Sequence, residues 1–152
     1  SYIGLPEDFY QVVNPLPVKS PQIISFNDEL AQYLGLEIDK KEALKYFSGN
    51  SIPENTTPIA LNYAGHQFGN FVHELGDGRA TLLGEIEVNK ERFDIQLKGS
   101  GLTPYSRSGD GRAAIGPVLR EYLVSEAMFY LGVSTTRSLA AVATGENIIR
   151  EI

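Results

Sequence analysis

Residues 80–98 read "ATLLGEIEVNKERFDIQLK". Two runs rich in apolar and β-branched residues flank a short polar break, Asn89–Glu91. This pattern predicts a β-hairpin with strands Ala80–Val88 and Arg92–Lys98. The second run alternates strictly. Phe93, Ile95 and Leu97 face one way, and Asp94, Gln96 and Lys98 the other. A hairpin this long needs an antiparallel sheet around it. The expected fold class is therefore α+β, a mostly antiparallel sheet with one main helix.

The same five residues, "GDGRA", stand immediately before this hairpin and again beyond it, at Gly76–Ala80 and Gly109–Ala113. The flanks of the two copies do not match, so no repeat architecture is implied. Ten of the fifteen glycines fall between Gly65 and Gly116, which concentrates backbone freedom around the hairpin. In the first copy Gly76 and Gly78 can take positive φ and turn successive N–H groups outward, a concave anion site. Arg79 adds a guanidinium suited to phosphate. The plain alternative is a turn whose Arg meets a surface carboxylate.

Lys98 sharpens the choice. A Gly-rich turn entering one strand, with a Lys ending the next, is how kinase-like folds hold nucleotide phosphates. In such folds a Glu of the following helix pairs with the Lys. The next helix is expected over Pro117–Leu131, with Pro117 at its start and Gly132 as its stop. Leu119, Tyr122, Leu123, Ala127 and Tyr130 form its expected apolar stripe. Its two candidates for the Lys are Glu121 and Glu126, and spacing does not choose between them. The intervening loop, "KGSGLTPYSRS", is rich in donors: Ser100, Thr103, Tyr105, Ser106 and Arg107, with Arg112 just after it. It leads to a helix N-terminus, which favours anions. Gly109-x-Gly111-x-x-Ala114 fits the dinucleotide pattern only loosely, without a βαβ unit, and no Walker motif is present.

Composition excludes several classes. The chain of 152 residues has no Cys, so disulfides and thiolate metal sites are out. No apolar run reaches the length of a membrane span, and no leader pattern is visible at the N-terminus. The formal charge of −6 argues against a nucleic-acid binder. The charge is uneven: Leu75–Arg120 balances to +1, leaving −7 elsewhere, so the GDGRA region is the less acidic part. His66 and His73 lack ligand spacing and read as structural rather than metal-binding.

Outside the Gly-rich region, Ser1–Gln22 holds four Pro and is expected as an extended arm. Asn27 is expected to cap a helix to Leu34 with Gly35 as stop. Asp39 and Glu42 resemble a capping box for Lys40–Ser48, ended by Gly49. Strands are expected at Ser138–Thr144 and Ile148–Ile152, around a "TGEN" turn. The expected organisation is an N-terminal arm with two short helices (residues 1–56) and a lobe carrying the nucleotide loops (residues 57–152). A chain without an initiator Met, ending inside an expected strand, is expected to be a piece of something longer.

Three stretches carry a family resemblance: "YAGHQFGNFVHELGDGRATLLGE" (63–85), "DIQLKGSGLTPYSRSGDGRAAIG" (94–116) and "LREYLVSEAMFYLGVSTTRSLAAVATGE" (119–146). With "VNPLPVKSP" and "FNDELAQYLGL" nearer the N-terminus, they closely resemble the selenoprotein O family along nearly the whole chain. The chain departs from many members at Gly116-Pro117, where an Arg/Ser-rich stretch is usual. The resemblance implies the small lobe of a pseudokinase-like fold. It implies transfer of AMP from ATP, or UMP from UTP, to hydroxyls of protein substrates, with Mg²⁺ or Mn²⁺. It places nucleotide contacts on Gly76, Gly78, Arg79, Lys98, Asp110 and Gly111, and the Lys-pairing carboxylate on Glu121. The catalytic Asp and the metal ligands would lie beyond Ile152, so this chain alone is expected to be inactive. A cytoplasmic protein without nucleic-acid or membrane partners is implied, and an isolated lobe could self-associate through its apolar face. The rival readings are a kinase-type phosphotransferase and a non-catalytic nucleotide-binding domain.

Overall fold

The structure is a computed structural model that describes residues 2–107 and 109–148. In chain order its strands are β1 (Tyr10–Val12), β2 (Gln22–Phe26), β3 (Ile59–Leu61), β4 (Gly65–Gln67), β5 (Asn70–Val72), β6 (Ala80–Val88), β7 (Glu91–Lys98) and β8 (Ala140–Ala143). Its α-helices are α1 (Asp28–Tyr33), α2 (Lys40–Phe47) and α3 (Ile115–Tyr130). The result is a mixed α/β chain with antiparallel sheets and few helices. Among the described residues no helix is long and apolar enough to cross a membrane.

The hairpin β6–β7 forms as expected, with a tighter turn. Val88 pairs with Glu91, leaving only Asn89 and Lys90 in the loop. Both have positive φ, 51° and 69°, the signature of a type I′ turn, whose twist matches the strands. The register slips once, between Leu82 and Gly84. This bulge lets Leu82 and Leu83 both be buried, at 4% and 2% exposure. The hairpin is the larger part of a four-stranded sheet in the order β1-β3-β6-β7. β7 is thus an edge strand, and its outward row is charged or polar at Arg92, Asp94, Gln96 and Lys98.

The segment expected as an arm is partly extended, and it is paired. β1 lies antiparallel to β3, and β2 to β8. Strands β1 and β3–β5 have three residues each. That is too short for a period-two pattern to be read from sequence, so their pairing is a tertiary outcome. The expected strand at Ile148–Ile152 falls outside the described residues beyond Ile148. The core gathers under the central sheet and the short helices: Ile59, Ala60, Leu82, Leu83, Leu30, Ala31, Leu34 and Ala43 are all buried.

The two short helices start where their caps predict. The Asn27 carboxamide oxygen accepts from Leu30 N at 3.0 Å, and Asp39 Oδ1 from Glu42 N at 2.7 Å. The box at α2 is only half built, because the Glu42 carboxylate accepts from the Tyr46 hydroxyl instead. α3 begins at Ile115, ahead of the expected Pro117. Proline is tolerated there because first-turn N–H groups have no intrahelical acceptor.

The expected apolar stripe of α3 holds only at Leu119 and Tyr122, which are half-buried. Leu123, Ala127 and Tyr130 are exposed, while Ser125 is the helix's buried residue. Polar partners decide this face. Ser125 Oγ lies 2.8 Å from Ser138 Oγ, and the Glu126 carboxylate accepts from Arg137 Nη2 (2.6 Å), Arg137 Nε (2.8 Å), Asn27 Nδ2 (2.7 Å) and Ser138 N (3.0 Å).

Two outcomes test this packing. Lys90→Gly relieves a left-handed residue and is expected to stabilise the hairpin by about 0.5–1 kcal/mol; a lower denaturation midpoint would contradict the turn. The hydrogen bonds from Arg137 hold the Glu126 carboxyl below the ordinary carboxylate range, outweighing its desolvation. Its stabilising contribution is therefore complete above the unfolded-state pKa and is lost as pH falls through the lower folded-state value. Glu126→Gln is expected to flatten that acid loss in a melting series against pH.

Candidate functional site

The first GDGRA copy forms a tight turn ahead of β6. Gly76 and Gly78 have φ of 54° and 62°. A Cβ on Gly76 would lie 2.4 Å from the Tyr105 ring and 2.9 Å from Leu61 O, so glycine is required for space as well as conformation. Gly78 faces open space. Asp77 clips the turn to β3: its N donates to Leu61 O at 3.0 Å, and its Oδ2 accepts from Leu61 N at 2.9 Å and Gln96 Nε2 at 3.4 Å. The Gly78 carbonyl accepts from the hydroxyls of Thr103 and Ser106. Two of the loop's donors thus hold the protein's own backbone.

The second copy turns through Gly109 and Gly111, with φ of 101° and 69°. Asp110 Oδ1 accepts from Arg112 N at 2.9 Å, a side-chain closure of the turn. A Cβ on Gly111 would lie 2.2 Å from the carbonyl carbon of Gly101 and 2.5 Å from Leu102 N, so two backbones touch here. Arg112 pairs in an isolated bridge with Ser100. Its guanidinium points away, donating to Leu16 O at 3.2 Å and Pro17 O at 3.4 Å.

The two copies meet. Arg79 Nη1 donates to Arg112 O at 2.7 Å, joining the arginine of the first to the backbone of the second. Gly99 N donates to Arg79 O at 2.9 Å, which ties both to the end of β7.

Lys98 stands opposite Ala80 in the β6–β7 register, next to Arg79. Its Nζ lies 2.9 Å from both Glu121 carboxylate oxygens. The side chains are 53% and 52% exposed, so the pair stabilises the fold by only about 0–1 kcal/mol. Glu126, the alternative left open by spacing, is occupied by Arg137. Arg79, Lys98 and Glu121 line one open groove along the sheet edge, together with Asp77, Gln96 and Arg112. Gly76, Gly78, Asp110 and Gly111 are not among its lining residues; they shape the turns beside it. The groove measures about 1480 Å³, larger than the roughly 300–1,000 Å³ of a closed ligand pocket.

Asp77 and Gln96 were missed as groove residues. Their signals were present: Gln96 shares the outward row with Lys98, and Asp77 stands between the two glycines of the first GDGRA. Burial, then the charges of Glu74 and Asp77, pushes the Tyr105 phenol up; burial and Asp77 do the same to Tyr63. Both remain neutral donors near pH 7. His66 and His73 flank Phe71 edge-on, with centroids 5.4 and 4.8 Å away. Among the described residues no group of three or more His, Asp or Glu could hold a metal ion.

The glycine geometry predicts an ordered pair of costs. Gly78→Ala meets open space and loses only its left-handed freedom, about 1–2 kcal/mol. Gly111→Ala adds backbone overlap and is expected to cost more. Equal denaturation midpoints for the two variants would refute the close approach.

A sequence model of the family described as "Protein adenylyltransferase SelO" matches residues 1–152. The curated "Protein nucleotidyltransferase YdiU" of Rhodopseudomonas palustris (strain BisB18) is 61% identical over 155 residues, covering 99% of this chain and 32% of that protein. The protein of the same name from Agrobacterium fabrum is 59% identical, covering 100% of this chain and 32% of the relative. That from Alkalilimnicola ehrlichii is also 59% identical, with 99% and 31% covered. The chain thus spans about a third of the length of the curated relatives it matches. With every residue inside the family match and whole-chain identity of 61% to a curated relative, this chain belongs to the SelO family.

Proposed function

We propose that this chain is the nucleotide-binding lobe of a protein nucleotidyltransferase. In the longer protein it positions ATP, or UTP, for transfer of AMP or UMP to Ser, Thr or Tyr hydroxyls of protein substrates. The observation that carries the reading is the Lys98–Glu121 pair, 2.9 Å at both oxygens, at the sheet edge directly after the first Gly turn. Glu121 holds the Lys98 side chain toward the groove, and with both groups about half exposed the three-donor ammonium keeps hydrogens free for a phosphate. In this reading residues 57–152 form a kinase-like small lobe and residues 1–56 wrap it.

Each site residue then has a role. Lys98 offsets phosphate charge. Gly76 and Gly111 let the two turns pack tightly against their own neighbours beside the groove, and Gly78, which faces open space, leaves room for the nucleotide to approach the first turn. Arg79 adds positive charge to the groove while bracing the two turns through Arg112 O. Asp110, an acceptor when ionised, acts by closing the second turn rather than by facing phosphate. A protein hydroxyl oxygen attacks the α-phosphorus, the bond to the β-phosphate oxygen breaks, and pyrophosphate leaves. This chain contributes positioning and charge complementarity to that step. The implied Mg²⁺ or Mn²⁺ finds no ligand set among the described residues. Its ligands and the catalytic Asp are assigned to the remainder of the longer protein, and the isolated chain is expected to be inactive. A cytoplasmic location, where nucleoside triphosphates are abundant, suits the reading.

The test uses the longer protein with Mg²⁺ or Mn²⁺ and ATP labelled at the α- or γ-phosphate, followed by UTP labelled at the α-phosphate. Label from the α-position on protein is expected; label only from the γ-position would make it a kinase, and nucleotide binding without label from either nucleotide a non-catalytic domain. Lys98→Ala is expected to lower transfer at least about 100-fold with little change in melting temperature, because the exposed pair contributes so little to folding.

A further inference from the structure

α3 presents Glu121 to Lys98, yet none of its apolar side chains is fully buried. Of its sixteen residues only Ser125 is buried. Leu123 (68% exposed) and Val124 are turned outward, and Val118, Leu119 and Tyr122 are half-buried. Among the described residues, its side-chain hydrogen bonds to other elements, apart from the Lys98 pair, arise between residues 125 and 130. Ser125 meets Ser138, Glu126 meets Arg137, Ser138 N and Asn27, and the Tyr130 hydroxyl donates to Glu29 at 2.8 Å. Arg137 is itself fixed, with its guanidinium 3.5 Å from the centroid of the Phe129 ring.

Glu126 is the centre of this cluster. One carboxylate joins three parts of the chain: α3, the segment entering β8, and the cap of α1. Asn27 does two jobs at once, accepting from Leu30 N through Oδ1 and donating to Glu126 and Ser138 O through Nδ2. Glu121 lies five residues earlier, about 7.5 Å along the helix axis. A rotation of α3 by about 20° would move a side-chain tip at its outer radius by about 2 Å. That would break a 2.9 Å contact. The apolar side chains on its inner side, Val118, Leu119 and Tyr122, are only half-buried, so the directional hydrogen bonds of this cluster carry most of the resistance to such a rotation.

We propose that Glu126 is a positioning residue of the nucleotide site: clamped by Arg137 and Asn27, it fixes the rotation of α3 and thereby holds Glu121 against Lys98. Glu126 touches no nucleotide in this scheme. The functional consequence rests on the reading of Lys98 as a phosphate-binding group, but the clamp itself does not.

The experiment separates the two. In the longer protein, a carbodiimide joins carboxylates to amines that already touch, and peptide mass spectrometry measures the Lys98–Glu121 amide. Glu126→Gln weakens the Arg137 pairing. Asn27→Asp keeps the helix cap but replaces the donor to Glu126 with a second carboxylate, and serves if Glu126→Gln fails to fold. Both are expected to lower the crosslink at least about fivefold and nucleotide transfer about tenfold. Ile59→Val, a core change remote from the clamp, is expected to lower the melting temperature and leave the crosslink intact. An undiminished crosslink in the folded clamp variants overturns the proposal. So does an equal loss in Ile59→Val, which would make the effect one of general stability. A crosslink that falls while transfer stays unchanged supports the clamp and counts against the phosphate role of Lys98.

Discussion

The register of the β6–β7 hairpin is the constraint on which the site depends. It is set at the far end, by a two-residue turn whose Asn89 and Lys90 both sit in the left-handed region. From there the ladder runs back to Ala80 opposite Lys98. A slip of one residue would send Lys98 to the face of Leu97 and Ile95. The single bulge after Leu82 allows that register to coexist with burial of both Leu82 and Leu83. A turn about nine residues away from Lys98 thereby decides which way the ammonium points.

Close backbone approach supplies the second element. The two GDGRA copies are distant in sequence and adjacent in space. Gly111 lies against the Gly101 peptide, and Arg79 donates to the Arg112 carbonyl. Neither contact is possible with a Cβ in the way or with the arginine turned outward. The donors of the intervening loop serve the same end. Thr103 and Ser106 hold the Gly78 carbonyl, and Arg112 holds Leu16 and Pro17. A stretch that looks built for a ligand is in large part a frame that holds itself together. What it leaves facing the groove is a short row of charge at the sheet edge.

α3 shows the opposite balance. Its most buried residue is a serine and the partners of Glu126 are polar, while Leu123 and Val124 face outward, unlike an ordinary surface helix. The relatives matched here are about three times the length of this chain. The hydrogen bonds of Ser125 and Glu126 give α3 a defined rotation, since hydrogen bonds are directional where apolar contacts are not.

The sequence by itself determined the hairpin, the three helices with most of their ends, and the family. These are local or pattern-borne: period-two alternation, Asn and Asp caps, left-handed stops at Gly35, Gly49 and Gly132, and long motifs that match end to end. It also marked Lys98 and the two Gly turns. Tertiary structure decided the rest. Three-residue strands carry no period, so the pairing of Tyr10–Val12 with Ile59–Leu61 was not readable. Spacing allowed Glu121 or Glu126 to meet Lys98; the fold engaged Glu126 with Arg137 and left Glu121 for the lysine. It also turned α3 so that serine and glutamate face inward. That choice depends on partners at Asn27, Arg137 and Ser138, distant in sequence or across a turn, and a helical wheel cannot show a hydrogen-bond acceptor waiting on another element.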